Sequence, residues 1–96
     1  MTNIEIIEVL RANKIYLQQN FGVERIGLYG SFARGEQKVD SDIDILVKFK
    51  TPTYNAWYSV VTFLENNLES KVDLISEGTH LSDRFRNRVS KEIIYA

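Results

Sequence analysis

The chain has 96 residues, 44% hydrophobic and 26% charged, with a net charge of −1 and no cysteine. This is the balance of one small globular domain, residues 1–96, and it excludes disulfides and thiolate metal sites. No dense Lys/Arg run is present to displace counterions from a long nucleic acid, and no stretch nears the roughly 18 apolar residues of a membrane span.

Met1 to Glu5 lacks the basic and apolar regions of a signal peptide, so a cytoplasmic location is expected. Thr2 or Asn3 can cap a first helix, and Ile6, Ile7, Leu10, Lys14 and Leu17 recur near the helical period until Gly22. Arg25 to Tyr29 reads as a first strand ending at Gly30-Ser31, with a short helix from Phe32 to about Gly35. A polar loop to Ser41 leads into a second strand, Asp42 to Phe49. There Ile43, Ile45 and Val47 point one way while Asp42, Asp44 and Leu46 point the other.

After the turn at Pro52, Trp57, Val60, Val61, Leu64 and Leu68 have helical spacing. Val72 to Ile75 is a third short strand, broken by Gly78. Ser82 or Asp83 can cap a last helix containing Phe85, Val89, Ile93 and Ile94. Helices alternating with strands give an α/β or α+β fold with one small central sheet, whose strand directions stay open at this point.

The chemistry-bearing residues cluster around one connection. Gly30-Ser31 is followed by ten residues and then Asp42-Ile43-Asp44. Side chains two apart on a strand leave one face roughly 6.6 Å apart. Two carboxylates there repel by about 2.5 kcal/mol at an effective dielectric near 20. Divalent metal offsets that repulsion, and carboxylates at this spacing suit displacement at phosphorus; solvent at a strand start also offsets it. Asp73 interrupts the apolar third strand, where Asp has poor preference, and joins the pair if the second and third strands are neighbours.

Gly30 lets a ligand approach the backbone, and Ser31 at a helix start can bind phosphate or simply cap the helix. Arg34 and Lys38 can reach a phosphate or stand as solvated loop cations. His80 reads as a surface loop residue. Tyr54, Trp57, Tyr58 and Phe63 divide between core and surface, and any left exposed are candidates for a partner interface.

Together, Gly30-Ser31-Phe32-Ala33-Arg34-Gly35-Glu36, Ser41-Asp42-Ile43-Asp44-Ile45-Leu46-Val47 and Val72-Asp73-Leu74 resemble the minimal nucleotidyltransferases of the DNA polymerase beta-like superfamily. The gap between Gly-Ser and Asp-x-Asp is similar to that in bacterial and archaeal members that pair with HEPN proteins. The likeness runs through the whole chain, including Lys91 to Ala96.

The resemblance implies a mixed sheet flanked by helices. It implies that Gly30 and Ser31, helped by Arg34, hold the triphosphate of ATP. Asp42 and Asp44 would bind two magnesium ions, with Asp73 as third ligand helping to deprotonate an attacking hydroxyl. It further implies a partner, a HEPN ribonuclease toxin that receives AMP on a tyrosine, making the chain the antitoxin of a type VII-like pair. A chain this short fits an acceptor supplied by another protein, in a homo- or hetero-oligomer. Two alternatives stay open: an antitoxin that neutralises by binding alone, and a small-molecule nucleotidyltransferase of the antibiotic type.

Overall fold

Thr2 and Glu5 open the first helix by bonding each other's backbone. The Thr2 hydroxyl accepts from the Glu5 N–H at 3.2 Å, and the Glu5 carboxylate accepts from the Thr2 N–H at 2.8 Å. In this computed structural model, which describes residues 1–96, α1 (Asn3–Ala12) is followed at once by α2 (Lys14–Phe21). The single helix expected up to Gly22 is therefore two. Asn13 lies between them at φ −106 and ψ 7, and its side-chain amide donates to the Val9 carbonyl at 2.8 Å. A side chain that captures a carbonyl in this way offers the backbone an alternative to continuing the helix. Ile6, Ile7, Leu10 and Leu17 are buried as their spacing predicts, whereas Lys14 is exposed. Gly22 closes α2 in the left-handed conformation, at φ 70.

The remaining elements are β1 (Val23–Tyr29), α3 (Gly30–Arg34), β2 (Ile43–Phe49), α4 (Tyr54–Leu68), β3 (Val72–Ser76), α5 (Asp83–Ser90) and β4 (Ile94–Tyr95). The strands form one mixed sheet in the order β3-β2-β1-β4. β1 runs antiparallel to β2 and β4, while β2 and β3 are parallel. The parallel step needs a long crossover, and α4 supplies it. Thr53 caps α4 by accepting from the Ala56 N–H at 3.1 Å, and the Trp57 indole N–H donates to the Leu74 carbonyl at 2.8 Å, tying the helix to β3.

Two apolar layers result. On one face, Ile26, Leu28, Ile43, Ile45 and Val47 pack with residues of α1, α2 and α4 in the main core. On the other face a smaller cluster of Tyr29, Leu46 and Val89 sits beneath α5, with Phe85, Ile75 and Ile93 around it. The second face is thus only partly roofed. Tyr54 and Tyr58 lie exposed on α4, while Trp57 and Phe63 are half-buried.

The chain's end differs from expectation. The last helix stops at Ser90, and Ile93 and Ile94 lie beyond it rather than within it. Ile94 pairs with Leu28 and Tyr95 with Gly27, and the Ala96 N–H donates to the Ile26 carbonyl at 3.0 Å. Gly27 makes this possible, because a Cβ there would lie 2.8 Å from Ile93 Cδ1. Strand pairing satisfies the outer edge of β1, which a longer helix would leave open.

Candidate functional site

Strand register builds the site. Tyr29, the last residue of β1, stands opposite Asp44 of β2, and Asp44 stands beside Asp73 of β3. Cross-strand partners share a face, so one row across three strands carries a phenol and two carboxylates on the partly roofed side. Paired strands lie about 5 Å apart, where two carboxylates repel by about 3 kcal/mol at an effective dielectric of 20, less where solvent screens them. The neighbour relation on which Asp73 depends is therefore present.

The α3 turn faces this row. Gly30 begins the helix directly, two residues earlier than the expected start at Phe32, and takes φ 76. Gly30, Ser31, Arg34, Asp44 and Asp73 all line one cavity of about 380 Å³. Asp42 is exposed just before β2 and lies outside that lining, as do Lys38 and His80, both also exposed. No three His, Cys, Asp or Glu side chains converge closely enough to hold one ion, so the acids stand beside one another without a closed ligand set.

The electrostatics show a shortage of positive charge. Burial pushes the Asp44 carboxyl above its usual value, and Asp73, Asp42 and Glu92 add to the effect, while Arg34 opposes it. Burial, with Asp44 and Asp73 nearby, pushes the Tyr29 phenol up to about 12. Tyr29 therefore stays a neutral hydroxyl at physiological pH. Asp44 and Asp73 stand as a carboxylate pair with Asp42 near enough to be felt, and carboxylate oxygens are the donor type that a hard divalent cation takes. The Asp44 carboxylate fills the space beside Gly30 where a Cβ would stand, so only glycine leaves room for it there.

Two charged lining residues, Arg88 and Glu92, carry no role in the sequence expectations, and Tyr29, Ile75 and Phe85 figure there only as parts of a strand or helix. The Arg88 guanidinium lies over the Phe85 ring at 5.5 Å. Glu92 accepts hydrogen bonds from the Gly30 N–H and, at 3.0 Å, from Arg34 Nη1. Arg34 also donates through Nε to Glu36 at 2.7 Å. The available signal was spacing: Arg88 and Glu92 are four residues apart at the end of an amphipathic segment. Their site lies across the sheet, so spacing alone could not point to it.

The chain matches the family described as polymerase beta, nucleotidyltransferase, over residues 12–96. It is 38% identical over 96 residues to the protein adenylyltransferase MntA of Thermococcus cleftensis, covering 99% of this chain and 96% of that protein. Among solved structures, it is similar to a chain of a toxin–antitoxin crystal structure with AMP-PNP. The TM-score is 0.69 at 28% identity, over 99% of this chain and 72% of that one. It is also similar to a chain of the complex of a tri-AMPylated Shewanella oneidensis HEPN toxin with its MNT antitoxin. There the TM-score is 0.59 at 26% identity, over 97% of this chain and 66% of that one. The Gly-Ser turn, the paired carboxylates and the mixed sheet agree with that match, and the chain belongs to the polymerase beta nucleotidyltransferase family.

Proposed function

We propose that this protein transfers AMP from ATP to a tyrosine hydroxyl of a HEPN ribonuclease toxin and so acts as its antitoxin. The observation that carries the reading is the pairing of Asp44 with Asp73 in one cavity with Gly30, Ser31 and Arg34. The similar complexes support the nucleotide and the partner, one being crystallised with AMP-PNP and the other holding an AMPylated HEPN toxin.

In this reading Ser31 and the guanidinium groups of Arg34 and Arg88 bind and orient the triphosphate. Gly30 keeps the turn free of a side chain, which leaves room for the Asp44 carboxylate beside it. Asp42, Asp44 and Asp73 would hold two magnesium ions, which supply charge neutralisation on the phosphates. Asp73, exposed at the start of β3, accepts the proton of the incoming tyrosine hydroxyl. The tyrosine oxygen forms a bond to the α-phosphorus, the bond from that phosphorus to the bridging oxygen breaks, and pyrophosphate leaves. Positioning and charge supply most of the acceleration.

The test is the intact mass of a HEPN partner encoded beside this chain, after incubation with ATP and magnesium. The expected result is an increase in whole AMP steps, lost in Asp44→Ala and Asp73→Ala proteins that keep their circular dichroism. Neutralisation with no mass change would overturn the reading in favour of binding alone. Transfer to a small molecule without the toxin would overturn the choice of acceptor.

A further inference from the structure

Glu92 does not touch the sheet's acidic row, yet it reaches the two parts of the turn that face it. It sits between α5 and β4. Its Oε2 accepts from the Gly30 N–H and from Arg34 Nη1 at 3.0 Å, and its Oε1 lies 3.1 Å from the same nitrogen. Its side chain is only 17% exposed, against 66% for Glu36, the other carboxylate on Arg34. An exposed ion pair contributes little, whereas a sheltered carboxylate with a backbone and a guanidinium donor holds both in place.

We infer that Glu92 is a positioning residue for the phosphate cradle, fixing the Gly30 turn and the Arg34 guanidinium so that the cavity receives the triphosphate without reorganising. Three observations fit together. The Gly30 N–H is already engaged by Glu92, so the turn's geometry is set before nucleotide arrives. Neither carboxylate uses Arg34 Nη2, which leaves donors of the fork for an anion. And β4 anchors Glu92 from the other side, through the pairing of Ile94 and Tyr95 with β1. Preorganised donors avoid an ordering cost on binding, so loss of Glu92 appears first in nucleotide affinity.

The inference rests on the reading that this cavity takes the triphosphate of ATP, and the measurements separate the two. The probe is AMP-PNP with magnesium, titrated calorimetrically into the full chain. No binding by the unaltered protein would overturn the reading of the cavity itself. Given binding, Glu92→Ala is expected to raise Kd about tenfold, and Glu92→Gln, which keeps one acceptor, to raise it less. In turnover, KM for ATP should rise more than kcat falls. Leu68→Ala, in the main core on the other face of the sheet, serves as the folding control, expected to lower Tm while leaving Kd within about twofold. If Glu92→Ala does not fold, Glu92→Gln carries the test. Unchanged affinity in the folded variants would overturn the inference. Tighter binding would also overturn it, by showing that Glu92 occupies the place of a phosphate.

Discussion

Gly30 and Asp44 share one small volume. A Cβ built on Gly30 would lie 2.9 Å from Asp44 Cγ, closer than real Cβ atoms come to their neighbours, and Gly30 holds φ 76. The absence of a side chain in the turn is therefore the reason that the central carboxylate has room. Gly30→Ala should suffer twice, from the left-handed backbone and from displacement of Asp44. A non-glycine residue in that conformation costs about 1–3 kcal/mol, which in a domain of this size lowers Tm by roughly 5–15 °C. Thermal unfolding followed by circular dichroism measures the loss, and AMP transfer should disappear with it. A variant that melts with the unaltered protein would contradict the crowding argument.

The raised pKa of Asp44 makes stability depend on pH with a definite sign. A carboxyl whose folded pKa lies above its unfolded value holds its proton more tightly when folded. Its stabilising contribution is complete below the usual value of 3.8 and is lost as pH rises through the raised folded value. Asp44→Asn removes the charge. At pH 7 without magnesium it should therefore melt about 4 °C higher than the unaltered protein, the shift given by relief of about 1 kcal/mol from a carboxylate charge that is partly buried and repelled by its neighbours. At pH 3 the gain should vanish. Calorimetry at the two pH values decides the matter, and an equal gain at both would mean that charge is not the cause.

Gly27 plays the corresponding part for the chain's end. A Cβ at this position would meet Ile93 Cδ1 and Cγ1 at 2.8 Å and Tyr95 Cδ1 at 3.0 Å. Gly27→Ala should push Ile93 outward and loosen β4, at a cost of about 1–3 kcal/mol. Hydrogen exchange reads this directly at the Ala96 amide, bonded to the Ile26 carbonyl at 3.0 Å. Exchange there should accelerate while the amides between β1 and β2 keep their protection. Unaltered exchange at Ala96 would show that the segment accommodates the methyl group.

Much of the fold was legible because local periodicity carries it. The alternation through Ile43, Ile45 and Val47 and the spacing of Val60, Leu64 and Leu68 are burial patterns, and each of these residues is buried. The break at Asn13 was not legible, because an Asn within an otherwise helical pattern does not announce whether its amide will take the Val9 carbonyl. The last segment misled for a related reason. Val89 and Ile93 are four apart, which is helical spacing, but Ile94 and Tyr95 answer to an open edge of β1 that no local window contains.

For the candidate site the division runs along the same line. Residue types and their spacing are legible along the chain: a Gly-Ser turn, ten residues, Asp-x-Asp, and an isolated Asp in an apolar run. These follow from local chain geometry, since the turn and each carboxylate belong to short segments whose conformation neighbours dictate. Folding in three dimensions is what sets Asp44 beside Asp73, leaves Asp42 outside the cavity lining, and brings Arg88 and Glu92 from the chain's far end into the same lining as the turn. Those relations depend on which strands pair and where α5 lands, and the burial of the whole sheet fixes both.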